Sequence, residues 1–171
     1  MNDAVFTQAA VTLRRATIAD LPALNEIVER AVMTWQLADR VKRLSLPSYR
    51  YHAHDFLHMH GAVAEDAQGV PLGVVVWDAA DPRDTPAGQR GLLLHGLYVD
   101  PSQHRSGIGS RLLDTAAEAA RAGGYDGLLV KAQADANGFF AARGLERLPV
   151  NDPARDYPHR YWLALSRAAA R

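Results

Sequence analysis

Leu97-Tyr-Val-Asp-Pro-Ser-Gln-His-Arg-Ser-Gly-Ile-Gly-Ser-Arg-Leu-Leu113 is the stretch on which the fold turns. It begins as the end of an apolar strand, breaks at Asp100-Pro101, and passes through a loop holding Gly107 and Gly109 into a helix. From Ser110 to Ala122 the residues Leu112, Leu113, Ala116, Ala119 and Ala120 recur at helical spacing, and Gly123-Gly124 ends the run. A helix N-terminus leaves backbone N–H groups without partners and carries partial positive charge, while glycines let an anion come close to those donors. The loop is therefore suited to holding a phosphate. It matches neither the dinucleotide fingerprint, which needs three glycines and a following acidic residue, nor the nucleoside-triphosphate loop, which needs Gly-Lys-Ser/Thr. Taken alone, a tight strand-to-helix turn with no ligand explains the same residues.

Working outward, Leu92 to Val99 reads as a mostly apolar central strand, preceded by a Pro-, Asp- and Gly-rich loop from Asp78 to Arg90. Before that loop, Ala62 to Glu65, a turn at Asp66 to Gly69, and Pro71 to Trp77 make a hairpin whose second strand is apolar on both sides. Val11 to Ala16 alternates like an edge strand, and Thr17 to Asp20 reads as a helix entrance with an oxygen cap. In the helix that follows, Leu21, Leu24, Ile27, Val28, Ala31 and Val32 form a stripe broad enough to need a sheet as its partner. Trp35 to His60 is helical but interrupted at Pro47, which predicts a second helix, a break, and a third helix around Ser48 to Met59. Downstream come a strand at Gly127 to Val130, a helix at Asp135 to Arg143 stopped by Gly144, and strands at Leu145 to Leu148 and Tyr161 to Leu165. This order is that of a mixed α/β sheet, mostly antiparallel, with helices on both faces.

The 171 residues, 48% of them hydrophobic, supply one core and leave little room for a second domain, so residues 1–171 read as one domain with its core about 11–165. Nineteen Lys and Arg balance nineteen Asp and Glu, so no net field draws the chain to nucleic acid or to an anionic membrane. With no cysteine, the chain forms no disulfide, offers no thiolate to a metal, and has no thiol nucleophile. Met1 to Ala10 carries Asp3 and no basic leader, and apolar runs such as Val74 to Trp77 are far short of a membrane span, which makes a cytoplasmic protein the expectation.

The stretch from Leu97 to Leu113 resembles the first signature of the GCN5-related N-acetyltransferases, the GNAT family, in which a hydrophobic strand runs into Gln/Arg-x-x-Gly-x-Gly/Ala and a helix. Downstream, Gln133-Ala-Asp-Ala136-Asn-Gly-Phe139-Phe140-Ala-Ala-Arg-Gly144-Leu145 is similar to the family's Asn-x-x-Ala-x-x-Phe-Tyr-x-x-x-Gly-Phe segment. Three positions depart from the pattern: His104 stands for Gln/Arg, Gln133 for Asn, and Phe140 for Tyr. The resemblance implies the GNAT acyl-CoA N-acyltransferase fold and acetyl-CoA as cosubstrate. Backbone amides of His104, Arg105, Ser106, Gly107, Ile108, Gly109 and Ser110 would then cradle the pyrophosphate, with Arg105 and Arg111 adding charge. Leu97, Tyr98 and Val99 would pair like a strand with the pantetheine and aim the thioester carbonyl at a backbone N–H. Gln133 and Phe140 would complete the acetyl-CoA site from the second motif, and Gly96 would mark the bulge that splays the central strand from its neighbour.

Transfer to an amine needs a neutral nitrogen, so a base must take its proton directly or through water. His95 is the candidate, two residues before Leu97 and on the same face by strand alternation, and imidazole titrates nearest to neutral pH. His95-Gly-Leu-Tyr-Val99 also resembles the His-x-Leu-x-Val strand of the arylalkylamine N-acetyltransferases, although their second His is Leu93 here. A core histidine bonded to a neighbour is the other reading. Phe140 has no proton to return to the departing sulfur, so Tyr98 and Tyr161 are the candidate acids by strand position; packing tyrosines are the alternative.

His52, His54, His58 and His60 form a dense cluster in which His54 and His58 stand one helical turn apart, a spacing able to chelate a metal. No His-Glu-x-x-His pattern accompanies them, no metal is expected, and the cluster reads as a solvated face or, with Trp35, Tyr49, Tyr51 and Asp55, as the acceptor entrance. The combined reading is an acetyl-CoA-dependent N-acetyltransferase acting by direct attack on a primary amine of a small molecule or protein N-terminus. A non-catalytic acyl-CoA sensor or interaction module on the same fold is the alternative. Family habit adds a homodimer, with apolar strands near the C-terminus as its contact.

Overall fold

The computed structural model describes residues 10–165. Its strands are β1 (Thr12–Arg15), β2 (His60–Glu65), β3 (Pro71–Ala79), β4 (Gly91–Val99), β5 (Gly127–Lys131), β6 (Glu146–Arg147) and β7 (Arg160–Ala164). They form one sheet in the order β1-β2-β3-β4-β5-β7-β6, in which β4 and β5 are parallel and the other pairs antiparallel. A parallel pair needs a crossover, and α3 (Ile108–Ala122) supplies it. The buried side of α3, Leu112, Leu113, Ala116, Ala117 and Ala120, lies on one face of the sheet against Ala62, Ala64, Val75, Leu92, Leu94, Leu128 and Val130. Its alanines keep the helix close to the strands.

The opposite face carries α1 (Leu21–Met33), whose Leu24, Ile27, Val28 and Val32 pack on Val63, Val74, Val76 and Tyr98. Val74 and Val76 thus serve one core and Val75 the other, which is why β3 is apolar without alternation. α2 (Asp39–Tyr49) lies beside α1, anchored where the buried Lys42 donates to the Met33 carbonyl at 2.9 Å. α4 (Asn137–Ala142) follows a 3₁₀ turn at Ala134–Ala136, so the helix expected from Asp135 begins later.

The region around Pro47 differs from expectation. Pro47 sits inside the last turn of α2, where the missing N–H costs one bond, and the chain stays helical to Tyr49. No third helix forms from Ser48 to Met59; only a 3₁₀ turn, Ala53–Leu57, is present there. The cause is long-range. Asn25 on α1 takes both backbone groups of Tyr51, donating to its carbonyl at 2.9 Å and accepting its N–H at 2.9 Å, and so holds the chain extended. Asp55 then caps the short turn by accepting the His52 N–H at 2.7 Å.

Smaller differences have local causes. α3 begins at Ile108, two residues before Ser110, because Gly107 is its left-handed N-cap. The expected strand Leu145 to Leu148 is reduced to β6. At Thr17 the cap runs the other way: the Asp20 carboxylate accepts the Thr17 N–H at 2.8 Å and its hydroxyl at 3.2 Å. β7 buries Tyr161 and Trp162 and lies between β5 and β6. The reading of Met1 to Ala10 as leaderless falls almost wholly outside the described residues. Among the described residues, no helix is long and apolar enough to cross a membrane.

Candidate active site

β4 pairs with β5 from Gly91 opposite Gly127 to Leu94 opposite Val130, and there the pairing stops. At the same point the β3–β4 register shifts, so that Val76 faces Gly96, Trp77 faces Leu94, and His95 is left over as a bulge. The extra residue inverts the alternation: Leu92 and Leu94 face the α3-side core before it, Leu97 and Val99 after it, and Tyr98 faces the α1 side. His95 is the extra residue at which the alternation changes, and its side chain lines the same cleft as Leu97. Gly96 is required by the fold. A Cβ there would overlap the Tyr51 hydroxyl and lie 2.5 Å from Tyr98 Cε2.

Beyond Leu94, one edge of β4 faces a cleft of about 950 Å³ bounded by the end of β5, the start of α4, the N-terminus of α3 and the end of α1. At its far end, Asp100 organises the loop. Its carboxylate accepts the Ser102 N–H at 3.0 Å and is gripped by Arg30 at 2.7 and 3.0 Å, which ties the loop to α1. Arg105 and Gly107 both take positive φ, 65° and 83°, and bring the chain sharply into α3. The first helical bond runs from the Arg111 N–H to the Gly107 carbonyl at 3.1 Å, so the amides of Ile108, Gly109 and Ser110 have no intrahelical acceptor. A Cβ on Gly109 would lie 3.5 Å from Phe139 and 3.7 Å from Leu97, both lining the cleft. The glycine there leaves ligand space that a side chain would fill.

The cleft brings together most residues singled out by sequence: His95, Leu97, Tyr98, Val99, His104, Arg105, Gly107, Ile108, Gly109, Ser110, Gln133 and Phe140 line it. Ser106 lies in the same loop, where its N–H and hydroxyl donate to the Gln103 carbonyl. Two residues are elsewhere. Arg111 spends its guanidinium on the Val11 carbonyl at 2.8 Å, which corrects the expectation that it faces the phosphates. Tyr161 is buried in the α3-side core with its ring 6.2 Å from that of Phe140 and does not reach the cleft lining.

The family model described as the Acetyltransferase (GNAT) family matches residues 26–145. The chain belongs to the GNAT acetyltransferase family. No curated protein matches it. Among solved structures, a GCN5-related N-acetyltransferase from Ralstonia eutropha JMP134 superposes with a TM-score of 0.69 at 20% identity, over 84% of this chain and 95% of that one. A GNAT family acetyltransferase from Brucella melitensis, in complex with acetyl-CoA, gives 0.65 at 16% identity over 92% of this chain and 90% of that one. A GNAT family N-acetyltransferase from Escherichia coli, in complex with CoA, gives 0.66 at 16% identity over 92% and 83%. At such identities these likenesses establish the fold.

Acetyl-CoA is the cosubstrate of the GNAT family, and the cleft fits it: free helix amides and cationic side chains at one end, an unpaired strand edge in the middle, and apolar walls from Leu97, Phe139 and Phe140. His95 stands at the exposed rim, where the surrounding protein desolvates it enough to hold its pKa below the ordinary imidazole value, against an opposing pull from Asp78. Tyr98 is buried, and burial pushes its phenol well above the ordinary value. Phe140 is 4% exposed and edge-on to Phe139. Gln133 donates through Nε2 to the Tyr49 hydroxyl at 3.0 Å, and Tyr49 packs edge-on to Trp35 with ring centres 5.0 Å apart.

The histidine cluster is rearranged by the loss of the third helix. His52 and His54 stack 5.8 Å apart, His54 Nε2 lies 3.1 Å from Asp55, and His54 and His58 are no longer a helical turn apart. The contacts missing from the sequence reading are the ones that cross the chain: Arg30 to Asp100, and the Gln36 N–H to Asp135 at 2.7 Å. Only Asp100-Pro101, a turn-opening pair, carried a local signal for the first.

Proposed function

We propose that this chain, acting as a single acetyltransferase domain, transfers the acetyl group of acetyl-CoA to a primary amine of a small molecule or protein N-terminus by direct attack. The observation that carries the reading is the coincidence, in one cleft, of the His95 bulge with the unpaired edge of β4 and the free amides of α3. Acetyl-CoA supplies an activated acetyl thioester. The amides of Ile108, Gly109 and Ser110, with His104 and Arg105 beside them, hold the pyrophosphate. The edge from Leu97 to Val99 pairs with the pantetheine amides and presents an N–H to the thioester oxygen as charge develops on it.

His95 takes the proton from the incoming ammonium, directly or through one water. Because its folded-state pKa is depressed by desolvation, the imidazole is neutral at neutral pH and able to accept that proton. With no cysteine in the chain, a thiol-linked acetyl-enzyme is not formed, and attack is on the bound thioester itself. One observation favours a second reading, a non-catalytic acyl-CoA sensor: Phe140 occupies the family's phenol position.

Calorimetric titration with acetyl-CoA, followed by thiol release over a mixed panel of amines, separates the two. Saturable binding with amine-dependent release is expected. Binding without release across the panel would favour the sensor, and absence of binding would overturn both.

A further inference from the structure

We propose that Tyr49 of α2 is the proton donor to the departing CoA sulfur, with Gln133 holding its hydroxyl in position. The proposal rests on the acetyltransferase reading above. Phe140, where the family carries a tyrosine, has no proton to give, and its ring is buried between Phe139 and Tyr161. The chain has six tyrosines. Tyr161 lies in the core, and Tyr125 sits under Arg90 just beyond the C-terminal end of α3. Tyr157 has committed its proton to the Ala132 carbonyl at 2.8 Å. Tyr51 is packed beneath Gly96 and buried in the α1-side core, whereas Tyr49 is half-buried. Tyr98 lines the cleft, but its ring is built into the α1-side core, and among the described residues no donor supports its oxygen as a phenolate.

Tyr49 differs from all of these. Its ring stands against Trp35 and its hydroxyl against Gln133, both of which line the cleft. The direction of the bond defines the role. Gln133 Nε2 donates to the phenol oxygen, and among the described residues no acceptor takes the phenol's own O–H. Once that proton leaves, the same amide N–H remains to stabilise the phenolate. The wall that carries Tyr49 is itself fixed, because the Gln36 N–H bonds Asp135 at 2.7 Å and ties the α1–α2 connection to the segment that presents Gln133. As the C–S bond breaks, its electron pair passes to sulfur. Sulfur takes the Tyr49 proton and CoA leaves as the neutral thiol; of the two protons the ammonium nitrogen sheds in becoming an amide, one leaves through His95 and the other passes through solvent to the phenolate and restores Tyr49.

The test is Tyr49→Phe, which keeps the ring against Trp35 and removes only the hydroxyl, measured beside Gln133→Glu with the amine that gives the wild-type protein its fastest thiol release. Tyr49→Phe is expected to lower kcat by about tenfold or more, with the calorimetric Kd for acetyl-CoA within about twofold of wild type. Gln133→Glu reverses the bond by placing an acceptor against the phenol, and a similar loss of kcat is expected. Unchanged kcat in Tyr49→Phe, with a wild-type protein that turns over, would overturn the Tyr49 assignment alone. The loss appearing in Tyr98→Phe in its place would do the same. A wild-type protein that binds acetyl-CoA and releases no thiol would overturn the acetyltransferase reading, and this proposal with it.

Discussion

Gly96→Ala tests whether the bulge is the structural pivot of the cleft. The added Cβ would overlap the Tyr51 hydroxyl and lie 2.5 and 3.3 Å from two atoms of the Tyr98 ring. Neither aromatic can step aside. Tyr51 is pinned by Asn25 through both of its backbone groups, and its ring meets that of Tyr98 edge-on at 6.5 Å inside the α1-side core. Overpacking a well-filled core costs roughly 1–3 kcal/mol, and two immobile rings place this case near the upper end. In a domain of this size each kcal/mol lowers Tm by about 2–4 °C, so the expected fall is about 6–12 °C. Turnover should fall further than the melting curve accounts for at assay temperature, because the strain is relieved by shifting the strand at His95. Circular-dichroism melting and thiol release on the same preparation read both effects. Adding Tyr51→Phe removes the nearest obstructing atom and should recover part of the lost Tm. A Gly96→Ala protein that melts within about 1 °C of wild type and turns over normally would refute the reasoning, since that shift corresponds to well under 1 kcal/mol.

Four further outcomes follow from the site. Gly107→Val places a β-branched residue at φ 83°, which costs about 1–2 kcal/mol or more in backbone strain, and should weaken acetyl-CoA binding by calorimetry; unchanged affinity would remove the loop from the phosphate role. His95→Ala should lower kcat at neutral pH by about 100-fold while leaving the acetyl-CoA Kd in place. For the wild-type protein, kcat/KM should rise with pH through a midpoint below the ordinary imidazole value, because desolvation favours the neutral ring, and a flat profile would exclude His95 as the base. Asp100→Ala releases both Arg30 and the Ser102 amide, and should raise the KM for acetyl-CoA several-fold with kcat preserved; an equal fall in kcat would mean that Asp100 acts on the chemistry.

The sequence is most readable where one short stretch decides its own structure. Gly107, Gly109 and the Leu and Ala spacing of α3 identify the strand, loop and helix, and the unbroken apolar run of β3 announces a strand buried on both faces. It is least readable where a distant residue decides. Asn25 prevents the helix expected at Ser48 to Met59, Val11 takes the guanidinium of Arg111, and Arg30 steadies a loop seventy positions away. The break at His95 is hard to place for another reason. Alternation holds only while register is continuous, and the register breaks at that residue, with Gly96 as its sole local mark. Tyr161 reads correctly as a strand residue, but strand periodicity says nothing of whether its ring looks into a cleft or into the core.

The position of the cleft follows from the topology before any side chain is considered. β4 and β5 are the one parallel pair among the described strands, so the chain must leave the C-terminal end of β4, cross over, and return. The crossover helix α3 therefore begins at the C-terminal end of β4, and its positive N-terminus lies beside the gap that opens once β4 and β5 stop pairing. β3 keeps its bonds to β4 as far as Val99, which leaves one edge of β4 free and fixes the side on which an extended ligand can lie. What the sheet does not supply is the far wall. That wall comes from the end of α1 and the start of the chain that follows it, Ala31, Thr34 and Trp35. A sheet and crossover of this kind can thus hold one acyl donor while acceptor preference changes with the α1–α2 segment, and substitutions at Trp35 should shift the ranking of amines with little effect on acetyl-CoA affinity.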